Sequence, residues 1–206
     1  MEINSQLDQA NPVNADGAIS TFYAFDGNSR LIAQTDDAGN QTRYFYDALN
    51  RNNKTTYADG TQELNTFDAD DNITQFTDQA GSFFTQQFDA LNRLVVQSVV
   101  PAEQRVGSTR WTYEYDGLSH LIQSTDNNDP QVTGDDAIVR NEYNSLNQRL
   151  RETQFANSHV EKTVQSSFDG MGAQKSLTYA NGRVLNFTHD TIYNLQSIHD
   201  NDSSSR

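Results

Sequence analysis

Carboxylates are the commonest groups in this chain that could do chemistry, with 28 Asp and Glu against 14 Lys and Arg. Paired carboxylates serve glycoside hydrolysis, and clustered ones hold divalent cations. Here they stand almost everywhere, so pairing alone singles out no acid–base couple. The densest group is Asp126, Asp129, Asp135 and Asp136, with Asn127 and Asn128 among them. Its hard oxygen donors suit calcium, but their spacing is not that of an EF-hand loop, and an ordinary long loop has the same composition. The four histidines, His120, His159, His189 and His199, lack a short metal-ligand spacing. No cysteine is present, which excludes a thiolate metal site and a disulfide framework. No G-x-S-x-G elbow, H-E-x-x-H pair or phosphate loop occurs. Trp111, Tyr113 and Tyr115 alternate with polar residues; such a strip could meet sugar rings, and the same alternation builds the packed face of a sheet. No catalytic residue and no cofactor are assigned.

The bulk properties narrow the partners. A net charge of −14 opposes binding to a phosphate backbone or an anionic membrane surface, and no Lys/Arg run offsets it locally. The apolar runs are far short of a membrane span, so no membrane insertion is expected. The first residues show neither a basic n-region nor an apolar h-region. Hydrophobic residues make up 34% of the 206, and much of the rest is Asn, Gln, Ser, Thr and Gly. That mixture favours exposed strands and turns over helices, because Ser and Asn side chains compete for backbone hydrogen bonds. Nine Tyr and eleven Phe argue against disorder, and the length allows a core to be buried.

The elements that position these residues repeat. Aromatic–Asp steps end at Asp26, Asp47, Asp68, Asp89, Asp116 and Asp169, and degenerate copies end at Asn144 and Asp190. The successive intervals are 21, 21, 21, 27, 28, 25 and 21 residues. Five places after the Asp an aliphatic residue recurs, at Leu31, Ile73, Leu94, Leu121 and Leu195. Thirteen places after it comes Gly39, Gly60, Gly81 or Gly182 in a turn sequence such as "YADGT" or "YANGR". Each unit therefore holds two turns and two short strands. The Asp is read as a turn-fixing residue whose carboxylate accepts backbone N–H groups, with Leu49 folding back beside Tyr46 on the apolar face. Catalysis would not need the same Asp in every unit. Arg30, Arg51 and Arg93, each following Ser or Asn in the turn, are read as structural pairing residues.

The predicted fold is all-β: repetitive antiparallel β-hairpins in a curled sheet or partial shell of about sixteen short strands. A weakly patterned segment covers residues 1–18, a repeat domain of eight units covers 19–200, and a loose tail covers 201–206. The insertions "VVPAEQRVGSTR", "STDNNDPQVTGDDAIVR" and "FANSHVEK" replace second turns and are expected to project as longer loops.

The units "YDALNR", "FDALNRL" and "YDGLSHL", each followed by a glycine turn, resemble the YD repeats of the Rhs family. Such repeats also occur in C components of insecticidal toxin complexes and in teneurin-like surface proteins. The resemblance covers about residues 20–200. It implies a hollow shell of coiled hairpins that encloses or presents a polypeptide, often a C-terminal toxic effector, in a secreted or cell-surface protein. It also implies that the aromatic–Asp positions form sheet and turn and catalyse nothing. Other YD repeats or an enclosed C-terminal polypeptide are the implied partners, with carbohydrate or protein binding through the aromatic strip or long loops as the alternative. The family's closing "DPxGL" motif, linked to self-cleavage, does not occur here, so the resemblance assigns no autoproteolytic residue.

Overall fold

The computed structural model describes residues 2–6, 18–102, 108–127, 136–156 and 160–201. The chain divides into two compact units, one of residues 1–92 and 99–105, the other of residues 93–98 and 106–206.

Among its described residues the first unit holds eight complete strands: β1 (Glu2–Gln6), β2 (Ala18–Phe25), β3 (Leu31–Thr35), β4 (Gln41–Tyr46), β5 (Asn52–Thr56), β6 (Gln62–Phe67), β7 (Ile73–Thr77) and β8 (Phe83–Phe88). From β1 to β8, consecutive strands pair antiparallel. The N-terminal segment, which shows little pattern as sequence, supplies β1, with Glu2 opposite Phe22 and Gln6 opposite Ala18. β9 (Leu94–Val100) crosses the division, with residues 94–98 in the second unit. The second unit continues with β10 (Arg110–Tyr115), β11 (Leu121–Asn127), β12 (Ala137–Tyr143), β13 (Arg149–Ala156), β14 (Val160–Phe168), β15 (Gln174–Thr178), β16 (Val184–His189) and β17 (Leu195–Asp200). From β9 onward each strand again pairs antiparallel with its successor. The fold is all-β and built of consecutive hairpins, as the period-two patterning and turn spacing require. The three insertions join β9 to β10, β11 to β12 and β13 to β14, so they do stand in place of second turns.

The aliphatic residue five places after the Asp has a simple cause. It lies directly across from the aromatic, as Phe25–Leu31, Phe67–Ile73, Tyr115–Leu121 and His189–Leu195. Cross-strand aromatic–aliphatic pairs are a main unit of sheet stabilisation. At each of these pairs the register slips by one residue, which marks a bulge beside the turn.

The described residues do not form the core that the length allows. Among the described residues no hydrophobic side chain is buried, and the buried residues are Ser20, Thr55 and Thr153. In β6 the face of Glu63, Asn65 and Phe67 is half-buried and that of Gln62, Leu64 and Thr66 exposed. Among the described residues the strands of each unit contact only their neighbours in the sheet, so they make one layer. Leu49 departs from its expected place: it is 65% exposed, at the tip of its turn. The position two places after the Asp points away from the sheet in a tight turn, so it cannot fold back beside Tyr46.

Candidate functional site

The repeated geometry is in the turns. Asp47 Oδ1 accepts the backbone N–H groups of Leu49 and Arg51 at 2.8 and 3.0 Å. Asp26, Asp68, Asp116, Asn144, Asp169 and Asp190 accept the equivalent pair through the same oxygen. Asp89 accepts from Leu91. The backbone closes as a type I turn followed by a left-handed residue, a loop suited to the twist of a hairpin. Asn50 N donates to Asp47 O and Asp47 N to Arg51 O, with Asn50 at φ 65°. Ser29, Asp71, Asn92, Ser119, Asn147, Gly172 and Tyr193 take the same left-handed place in the other copies. The second turns reuse this backbone with glycine in the left-handed place, at Gly39, Gly60, Gly81 and Gly182. Among the first turns Gly172 likewise leaves that position without a side chain.

These bonds set the electrostatics. The carboxyls of Asp26, Asp47, Asp169 and Asp190 are held below the usual range first by a backbone N–H, that of Arg30, Arg51, Ala173 and Asn194 respectively. For Asp68 and Asp116 the leading cause is a side-chain hydrogen bond, from Asn72 and His120. They are therefore ionised acceptors with Oδ1 engaged by backbone N–H groups, a poor state for a general acid.

The residue four places after the Asp couples one repeat to the next. Arg51 donates from Nε to Asp47 Oδ2 at 2.7 Å, and its guanidinium lies over the next unit's Phe67 ring, 4.6 Å from the centroid. Its Nη1 continues to the Asp68 carbonyl at 2.8 Å and to Asp71 Oδ1 at 2.7 Å. Arg30 repeats this on Asp26, the Tyr46 ring and Asn50. Arg93 lies over Tyr115 and donates to the Asp116 carbonyl and Ser119 Oγ. Asn72 bonds Asp68 and reaches Asn92. His120 bonds Asp116 at 2.7 Å and stacks on Tyr143 at 4.6 Å. Gln148 accepts from Asn144 and donates to the Gly172 carbonyl. The tyrosines of the motif answer in the other direction: Tyr46, Tyr115 and Tyr143 donate their hydroxyls to the carbonyls of Leu31, Leu94 and Leu121. Of this clasp the sequence shows its three arginines readily. Asn72, His120 and Gln148 differ in chemistry, and only the common offset of four from the turn residue finds them.

The other candidate residues are less assembled. Trp111, Tyr113 and Tyr115 lie at alternate positions of β10, all half-buried, and Arg93 already covers the Tyr115 ring. Burial pushes the Tyr113 hydroxyl up from its ordinary value. Asp129 and Asp135 lie outside the described residues. Asp126 sits near the end of β11 opposite Ala137, and Asp136 immediately precedes β12. Asp126, Asn127 and Asp136 each keep a buried Oδ1 without a hydrogen bond. Among the described residues no three His, Cys, Asp or Glu are grouped to hold a metal ion, and no helix is long and apolar enough to cross a membrane.

A chain of registered hairpins, clasped turn to turn and lacking a buried apolar core among its described residues, defines a repeat wall. The RHS Repeat family model matches residues 25–62, the span of the Asp26 and Asp47 units, and the same register runs on to Asp190. That match is to a family of repeats, and it covers the first two of the eight units. Comparison with curated proteins gives no match. Among solved structures, the chain is similar to part of a Photorhabdus luminescens Tc holotoxin pore with a mutated TccC3. That match has a TM-score of 0.66 at 18% identity, over 92% of this chain and 11% of the other. It is also similar to a TcdB2–TccC3–TEV structure, with a TM-score of 0.53 at 12% identity, over 93% of this chain and 13% of the other. At these identities the likeness is one of fold, and the chain spans about a tenth of the length of the chains it matches.

Proposed function

We propose that residues 19–200 are a non-catalytic wall segment of an Rhs-type shell that encloses or presents a polypeptide, in a secreted or cell-surface protein. The observation that carries this reading is the clasp: the side chain four places after a turn Asp completes its own turn and binds the following one. Such a unit is built to be continued by another, and its stability is a sum of unit and neighbour terms. Asp26, Asp47, Asp68, Asp89, Asp116, Asn144, Asp169 and Asp190 serve as turn fixers in this reading, and Gly39, Gly60, Gly81 and Gly182 supply the left-handed residue of the second turns.

Limited proteolysis of the natively purified protein, followed by mass spectrometry, tests enclosure. The expected result is a polypeptide that resists protease until denaturant opens the wall. Digestion of every segment outside the hairpins at the same early rate contradicts it. Carbohydrate is a second partner class for Trp111 and Tyr113, on which no cation stacks among the described residues. A glycan array with Trp111→Ala decides that: binding lost in the variant supports it, and binding unchanged removes it.

A further inference from the structure

The clasp position is occupied by Arg30, Arg51, Asn72, Arg93, His120, Gln148 and Asn194, but in the Asp169 unit it is Ala173. A methyl group cannot reach the next turn. Where the slot is filled by arginine, its walls are the turn carboxylate Oδ2, the aromatic ring of the following unit, and the carbonyl or left-handed residue of the following turn.

At Ala173 the walls persist without the filling. Asp169 Oδ1 is engaged by the N–H groups of Met171 and Ala173, while no side chain of the described residues donates to its Oδ2. His189 stands where the other units have Tyr or Phe, Asp190 begins the next turn, and Tyr193 is its left-handed residue. Asp169, His189, Asp190, Tyr193 and Lys175 line a depression of about 330 Å³ at this place, within the second unit. The depression is the empty version of a slot that holds a guanidinium elsewhere in the same molecule.

We propose that this depression binds a guanidinium group, presented by an arginine side chain of another polypeptide. The chemistry follows from the filled copies. A guanidinium is planar, donates in a fork and stacks by its face on a ring, so one group can bond Asp169 Oδ2, lie against the His189 ring and reach the Asp190 turn. An ammonium delivers charge to the carboxylate but neither stacks nor forks. A neutral ureido group keeps the shape and loses the charge. The inference does not depend on the shell reading, since it rests on comparing one repeat with its neighbours.

The test titrates N-acetyl-arginine methylamide into the full 206-residue chain and follows the His189 ring and Ala173 backbone resonances by NMR. The lysine and citrulline counterparts are run in parallel. The expected result is a saturable shift with the arginine probe, at least ~10-fold weaker binding with lysine, and none with citrulline. Two variants keep the turn intact. Ala173→Arg installs the residue used at the equivalent places 30, 51 and 93, and should abolish the response by filling the slot from within. Asp169→Asn copies Asn144, whose Oδ1 makes the same two turn bonds, and should weaken binding by ~10-fold through loss of charge. A titration without saturable shifts, an equal response to citrulline, or a response unchanged in Ala173→Arg would overturn the proposal.

Discussion

At the scale of single residues, the turn carboxylates and the left-handed positions decide how the hairpins behave. The carboxyls of Asp26, Asp47, Asp68, Asp116, Asp169 and Asp190 are lowered in the folded chain, as are Asp36 and Asp59 in second turns. A carboxyl lowered on folding contributes stability that is fully present above its unfolded value and is lost as pH falls through its folded value. Thermal melts should therefore show these turns fully supported down to about pH 5, with a steepening loss below about pH 4, where unfolded Asp takes up protons. The charge of −14 acts the other way, since protonation relieves repulsion. A melting temperature that rises steadily down to pH 3 would show that repulsion, not the turn bonds, dominates. Tyr193 is the costly member of the left-handed series, at φ 65° where its counterparts are mostly Asn, Ser, Asp or Gly. A bulky residue gains nothing there that its backbone needs, whereas Asn tolerates the conformation. Tyr193→Asn should raise stability by about 1 kcal/mol, measured by urea unfolding. No gain would mean that the ring holds contacts worth the strain.

At the scale of elements, the hairpin was largely legible in the sequence. The aromatic–Asp step, the aliphatic residue five places on and the glycine eight places after that each correspond to a structural event: a bulged cross-strand pair, a turn and a second turn. What stayed hidden depends on direction in space. Leu49 follows strand residues in a sheet-like pattern, yet a turn tip points outward, so its apolar character misleads. The clasp was visible only where it was arginine, because Asn72 and Gln148 look like ordinary polar turn residues until they bridge to the next unit. The proposed cation cluster was legible as composition alone, and Asp126 and Asp136 are the members that the described residues retain. Glycine usage gives a direct check. Gly60 has φ 86° and Gly27 an ordinary φ, with open space around both. Gly60→Ala should cost about 1 kcal/mol or more from backbone strain, while Gly27→Ala should be neutral or slightly stabilising, as read by equilibrium denaturation. Equal losses at both would mean that the left-handed turn does not govern the site.

At the scale of the whole molecule, the chain departs from what its length allows. A chain of 206 residues is long enough to enclose a core, but its described part buries no hydrophobic side chain. Stability must then come from many repeated cross-strand pairs, turn bonds and clasps, each modest and each dependent on a neighbouring unit. That arrangement suits a wall. It also accounts for the recurrence of the acidic residues: the turn carboxylates accept backbone N–H groups through Oδ1, and in one unit the amide of Asn144 does the same. The carboxylate and ring at Ala173 stand out because there the pattern is broken and the partner group is missing. The most direct test of the central claim is cryo-electron microscopy of the natively produced protein. A hollow particle with residues 19–200 traced in a wall one strand-layer thick is the predicted result. A compact two-layer sandwich, with the aromatic faces of β4, β6, β10 and β12 buried against a second sheet and no internal space, would contradict it.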